Sequence, residues 1–463
     1  MELDEIVAGV GNYEELQKKI TAAQPARAIE PEDARKQWDP KEHAVTKRQD
    51  KTVTTDTGTE IVTVAKIPVP LQKRIVSRAA QFLCGNPIVL RATPADDLQR
   101  GLLAVVQKTW DDNKLDYESK RLAKLMMAEC EVAELWYPEE LAQEEADFWA
   151  GTAADGAKLR MRMQVLAGSL GDTLNPVYNK YGDMVAFGRG YTVDNAGKKE
   201  EHFDLYTATT IYQGEKGEGG WVATAIPNLL KKIPVIYYRQ DAPEWHDVQA
   251  MIDRFELRLS RHADTNDYNG DPTILVKGDI VSFAKKGETG KLLQLDPNAE
   301  ASYMSWDNAP ESVKMELQNL RSLIYDMTDT PDISFEQMKG LGTFSGIALK
   351  MLFLGAHMKA ADKEEIFGKG VQRRINFLKS ALAVLQLKLQ PATLLTIKPH
   401  FEYFLPKNDA EKVDMLSTAA GGKAIISQKT AVAQNPLVQD PEAEIKAIEE
   451  EANSASALDA ELG

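Results

Sequence analysis

The stretch most suggestive of chemistry is GLGTFSGIALK, in which Gly340, Gly342 and Gly346 precede an apparent helix. Glycine-rich loops that open a helix can cradle phosphates with their backbone amides. The surroundings argue against that use. A dinucleotide fingerprint follows a buried strand within a βαβ unit, whereas the preceding DISFEQMK is polar. A P-loop needs Gly-Lys-Ser/Thr directly before its helix, and Lys350 lies inside the helix with no Ser or Thr beside it. A loop that ends where a helix begins, with Ser345 as the capping acceptor, explains the pattern without a nucleotide.

Other reactive constellations fail on spacing. DTNDYNGDP resembles a calcium loop, which needs glycine at position six and glutamate at position twelve. Counted from Asp264 those places hold Asn269 and Leu275; counted from Asp267 they hold Pro272 and Gly278. The stretch reads instead as a turn that ends a helix. The histidines (His43, His202, His246, His262, His357 and His400) form no close pair at metal-ligand spacing. No serine occupies a G-x-S-x-G elbow. Acidic runs such as EIKAIEEEA read as solvated helix faces. No catalytic group, metal site or cofactor is expected.

Composition sets the wider bounds. A chain of 463 residues, 43% of them apolar, has material for two to four compact units. The only cysteines, Cys84 and Cys130, exclude a disulfide framework and favour a reducing compartment. The acidic start MELDEIVAGVGNYEEL is not a secretory signal, and no apolar run reaches the ~18 residues of a membrane span. A soluble protein is expected. Its formal charge of -15 argues against tight nucleic-acid binding, which uses a basic face to neutralise phosphates.

The elements follow from periodicity. A helix over Leu3–Ala23 and a mostly extended arm are expected first. EIVTVAKIPVP has strand character, and LQKRIVSRAAQFLCG is an amphipathic helix with Ile75, Ala79 and Phe82 on one face. IVLRA is a short strand, and residues 96–132 read as one or two helices. From Met161 to Arg239, alternating runs separated by Gly, Asn and Asp turns predict an antiparallel sheet. Trp245, Val248, Ile252, Phe255 and Leu259 then form a helical stripe, and Val313, Leu317, Leu320, Ile324 and Met327 form a second. TILVKG and KLLQLD are short strands in the insertion between them. A long helix is expected from Ser345 to Leu389, about 65 Å if unbroken. Gly355, Gly368 and Gly370 lie inside it, which suggests a kink or close packing. A strand in LLTIKPHFEYFLP and a helical C-terminal segment follow. The fold class expected is α+β, mostly helical.

The order of these features resembles the portal proteins of long-tailed bacteriophages from about Glu60 to about Glu450. RIVSRAAQFLCGNPIVL, NLLKKIPVIYYRQD and WHDVQAMIDRFELRLSRHADTNDYNGDPTILVKG carry the resemblance. So do FSGIALKMLFLGAHMKAADKEEIFGKGVQRRINFL, the most specific, and AVAQNPLVQDPEAEIKAIEEE. Residues 1–58 resemble the family poorly. The resemblance implies a non-enzymatic subunit of a ring, a dodecamer by family habit, at one capsid vertex of the virion. Double-stranded DNA would pass through it during packaging and ejection. Its other partners would be the major capsid protein, the large terminase subunit and a head-completion or adaptor protein, with no membrane.

The implied parts are a 1–58 arm, a 59–240 wing, stem helices at 241–266 and 309–329, and a 267–308 clip. A tunnel loop would occupy 330–344, a long wing helix and strand 345–408, a crown 409–452 and a disordered tail 453–463. In the tunnel loop, Asp332, Glu336, Gln337, Met338, Lys339, Gly340 and Gly342 would lie nearest DNA. A net negative chain suits a conduit, because every cationic phosphate contact must be broken at each step. The competing readings are a nucleotide-binding enzyme using Gly340–Gly346 and another virion scaffold or head-completion protein without a channel.

Overall fold

The computed structural model describes residues 3–24, 26–55, 58–269, 273–277, 280–282, 294–295, 300–304, 310–332, 351, 353–403, 409–438 and 440–462. The chain divides into two compact units. One comprises Met1–Pro331 and Ala356–Tyr403, the other Asp332–Gly355 and Phe404–Gly463. Helices and antiparallel sheets are mixed, as an α+β chain requires.

The first unit is built on two antiparallel sheets. A five-stranded sheet joins β6 (Thr173–Tyr178), β7 (Met184–Asn195), β8 (Lys198–Thr207), β9 (Thr210–Gly217) and β10 (Gly220–Pro227) in sequence order. A three-stranded sheet places β4 (Glu131–Glu140) between β5 (Leu159–Leu166) and β11 (Val235–Arg239). Side chains alternate across a strand, so each sheet serves two cores. Leu135, Leu166 and Tyr237 meet Leu174, Phe187 and Tyr206 between the sheets. Their neighbours Trp136, Val165 and Tyr238 point the other way, into the main helical core.

That core gathers α4 (Leu71–Cys84), α5 (Asp97–Asp112), α6 (Leu115–Glu129) and the second half of α9 (Leu354–Leu385). Ile75 and Phe82 of α4 are buried as the stripe predicts, and Ala79 is half-buried. β3 (Val89–Ala92) pairs with β16 (Ile397–His400) at its margin.

Several expectations are corrected. The first helix is two, α1 (Leu3–Gly9) and α2 (Tyr13–Ala22), and Asn12 caps the second by accepting from the Glu15 amide. The arm is not extended throughout. Pro31 opens α3 (Pro31–Trp38), where a proline's missing N–H costs nothing, and β1 (Lys51–Thr55) pairs with β2 (Gly58–Val62). The expected helical region 96–132 gives way to β4 at Glu131. DTNDYN is helical, because α7 (Gln249–Asn269) continues through it.

The long helix is not unbroken, and Ser345 and residues 346–350 lie outside the described residues. Phe353 is in a turn, α9 begins at Leu354, and it ends at Leu385, six residues before Pro391. Its 32 residues span about 48 Å. Gly355, Gly368 and Gly370 stay inside it without breaking it. Gly370 is needed for close packing, since a Cβ there would sit 2.0 Å from the Tyr238 ring. Between α7 and α8 (Pro310–Met327), β12 (Thr273–Lys277) pairs with β15 (Glu300–Met304), and β13 (Ile280–Ser282) with β14 (Gln294–Leu295).

The described part of the second unit is mainly three helices, α10 (Asp409–Ala420), α11 (Gln428–Gln434) and α12 (Pro441–Leu462), packed in sequence order. The 453–463 segment, expected disordered, is helical to Leu462. Its alanines and leucines are strong helix formers that outweigh its small polar residues.

Candidate functional site

The two striped helices form an antiparallel hairpin, α7 against α8. Arg254 and Arg258 of α7 both reach Glu316 of α8, at 2.7 and 2.6 Å. The stripes close unevenly along it. At the root, Trp245, Val248, Ile252 and Ile324 are buried. Further out, Phe255, Leu259, Val313, Leu317 and Leu320 are only half-buried and Met315 is exposed, and at the root itself Leu323 and Met327 of α8 are exposed. A single chain thus leaves part of an apolar seam open to water, where burial would contribute about 25 cal/mol per Å².

The root is held from two sides, by the arm and by α9. On the arm side, Trp38 stacks on Trp245 at 5.6 Å, and the Trp245 indole N–H donates to Gln37 Oε1 at 2.9 Å. Downstream of α3, His43 Nδ1 lies 2.7 Å from Glu256 Oε1, which also accepts from the Val69 amide. Asp264 accepts from the Ala65 amide and from Arg48. The arm therefore runs along α7 as a strap.

On the α9 side, Glu244 is buried between Lys359 and Lys363, at 2.9 and 2.6 Å. Lys359 also donates to the Thr328 carbonyl, 2.8 Å away, at the end of α8. Burial pushes the Glu244 carboxyl upward, but the two lysine charges outweigh it and hold the acid below its ordinary value.

Further along α9, in the main core, Arg374 is fully buried on Glu134 of β4. Its Nη1 donates to Ser119 Oγ at 2.8 Å and its Nη2 to the Tyr238 hydroxyl at 3.3 Å. Trp136 and Tyr238 donate to the same carboxylate.

Residues 23–457 match the family described as "Phage portal protein, SPP1 Gp6-like". The chain belongs to that family. The match includes much of the arm, which by its own residues had resembled portal proteins poorly. The portal protein of Bacillus phage SPP1 is 25% identical over 289 residues, 58% of this chain and 56% of that protein. The chain spans little more than half the length of this curated relative. Two solved structures are similar at 11% identity. One is titled a neck of an empty GTA particle (TM-score 0.41, 78% of this chain and 88% of the other), the second a virion of a native gene transfer agent particle (0.37, 77% and 87%).

In this portal-family chain Trp245, Val248, Ile252 and Ile324 join the main core, with Phe255 packed against it. Of the expected tunnel-loop residues, Asp332 is half-buried. Glu336, Gln337, Met338, Lys339, Gly340 and Gly342 lie outside the described residues, as do Gly346 and Lys350. Sequence reading missed Glu244, Lys359, Lys363, Glu134 and Arg374. Only the i, i+4 spacing of the two lysines carried a signal, and their acid is remote in sequence.

Other sites on the portal-family chain are compensated or shielded. A cleft of about 580 Å³ is lined by Arg121, Arg162 and Arg189, but each is paired, with Glu118, Asp112 and Asp172 respectively. Burial pushes both cysteine thiols up to about 12, which keeps them protonated and unreactive. His357 packs edge-on between Phe82 and Tyr403. Among the described residues no cluster of His, Cys, Asp or Glu is placed to hold a metal ion, and no helix is long and apolar enough to cross a membrane.

The strap is pH-dependent. Burial pushes the His43 pKa down, but Glu256, with help from the Gln37 carbonyl and Asp253, raises it above its ordinary value overall. A raised histidine pKa stabilises the docked state fully below the ordinary value and loses that contribution as pH rises through the shifted one. Proteolysis of residues 39–69 is therefore expected to accelerate from mildly acidic to mildly alkaline pH. The His43→Gln variant should be cleaved at a rate that changes with pH no more than the protease itself does.

Proposed function

We propose that this chain is the subunit of a portal ring at one capsid vertex, through which double-stranded DNA passes during packaging and ejection. In this reading α7 and α8 are the stem, the strands between them the clip, and residues 330–344 the tunnel loop. The sheets with the helical core form the wing, and α10–α12 the crown. The clip is the docking face for the large terminase subunit and then for head-completion proteins, and the wing faces the major capsid protein. The subunit itself performs no catalysis.

The observation that carries this reading, beyond membership of the family, is the half-open seam of the hairpin. Apolar positions that one chain covers at the root and leaves half-exposed beyond it suit helices packed side by side in a closed ring. The net charge of -15 supports a conduit that does not grip its cargo.

The Leu317→Asp variant tests it. The substitution is distant from the main core, so far-UV circular dichroism should be unchanged. Native mass spectrometry should show closed rings for the parent chain and their loss, or at least about a tenfold rise in the assembly concentration, for the variant. The same preparations should hydrolyse no ATP. Hydrolysis abolished by Lys350→Ala would instead favour the nucleotide-binding reading.

A further inference from the structure

The two halves of α9 are held in different ways. From Phe367 to Ala383 the helix buries Phe367, Val371, Ile375, Phe377, Leu378 and Leu382 in the main core, with Arg374 locked on Glu134. From Ala356 to Ile366 it fully buries only two alanines, Ala356 and Ala360. The hold on this first half is part aromatic, with His357 edge-on to Phe82 and Tyr403, and part polar. The polar part comes from Lys359 and Lys363 on Glu244, the Lys359 bond to the Thr328 carbonyl and the Tyr403 hydroxyl on Glu364.

Glu244 stands immediately before Trp245, where the chain enters the hairpin, and Thr328 stands where it leaves. Lys359 touches both, so one side chain ties entry and exit to the same turn of α9. Just past Thr328 the backbone turns sharply: Asp329 takes a left-handed conformation (φ 48°), and the Thr328 and Thr330 hydroxyls bond at 2.9 Å. Between the lysines and Arg374 lie Gly368, which faces Phe401, and Gly370, which packs closely on the Tyr238 ring.

We propose that Glu244 is a releasable latch, which fixes the first half of α9 to both ends of the hairpin, and that α9 pivots on its Gly368–Arg374 segment when the latch opens. A carboxylate between two lysines is a discrete on–off contact. The apolar half of the helix cannot shift by degrees, because packed cores are close-fitting. The latch is a property of the single chain, and only its bearing on DNA passage rests on the portal reading.

Hydrogen–deuterium exchange on the full chain tests the latch. In Glu244→Gln, residues 356–366 and the last turn of α8 should exchange at least about tenfold faster, while residues 370–385 keep their parental rates. Lys363→Met should give the same pattern more weakly, and Glu244→Asp, which keeps the charge, a smaller effect than the amide. Glu365→Gln, which removes only the exposed pair with Lys369, should change nothing. Unchanged exchange in Glu244→Gln, or an equal rise through residues 370–385, overturns the proposal. Neither result depends on whether the chain forms rings, so the latch and the portal reading fail separately.

Discussion

Arg374→Met is expected to cost about 3–5 kcal/mol of stability, because it strands the Glu134 carboxylate in the core without its counter-charge. The guanidinium meets Glu134, Ser119 and Tyr238 and lies over the Trp110 ring at 5.1 Å, with no exposure to water. Water cannot replace the lost partner at such a site. Urea unfolding followed by tryptophan fluorescence should show the midpoint falling sharply. Arg374→Met combined with Glu134→Gln should recover much of the loss, since the amide carries no stranded charge and its oxygen can still accept from Trp136 and Tyr238. If the double variant is no more stable than the single one, packing rather than charge holds the helix there.

Trp245→Ala is the second large effect. The indole is fully buried at the hairpin root, stacked on Trp38 and bonded to Gln37. Truncating a buried tryptophan costs about 3–5 kcal/mol. Part of that cost should appear locally, because the ring is where the strap meets α7. Limited proteolysis should cut residues 39–69 well before the sheets, and the fluorescence of Trp38 should shift to the red. Cleavage no faster than in the parent would show that His43 and Arg48 hold the strap without it.

The elements most legible in the sequence were those with strong periodicity. The stripe from Val313 and the alternating runs from Met161 to Arg239 became the expected helix and strands, and the stripe from Trp245 did so from Gln249 onward, its first residues forming a 3-10 turn. Their signal is local, because the buried face of an element is written every second residue or every third to fourth. Where propensity competed with packing, the reading slipped. DTNDYN is rich in turn formers yet continues α7, with Asp264 engaged by Arg48 and the Ala65 amide. EVAELWYPEE continues the preceding helical pattern but is claimed by β5 and β11 on either side.

The buried polar networks were illegible for a different reason. Glu134 and Arg374, or Glu244 and Lys359, carry no sign of each other in a single sequence. An acid and a base far apart become a pair only once the fold has brought them together. The arm shows the same limit. Beyond its first helix it read as mostly extended, while His43 and Arg48 are committed to acids of α7.

The proposed assembly of this chain is a ring around a DNA channel. Negative-stain electron microscopy of the purified full chain should show closed rings with a stain-filled central hole, lost in Leu317→Asp. Monomers alone, across protein concentration and salt, would contradict it.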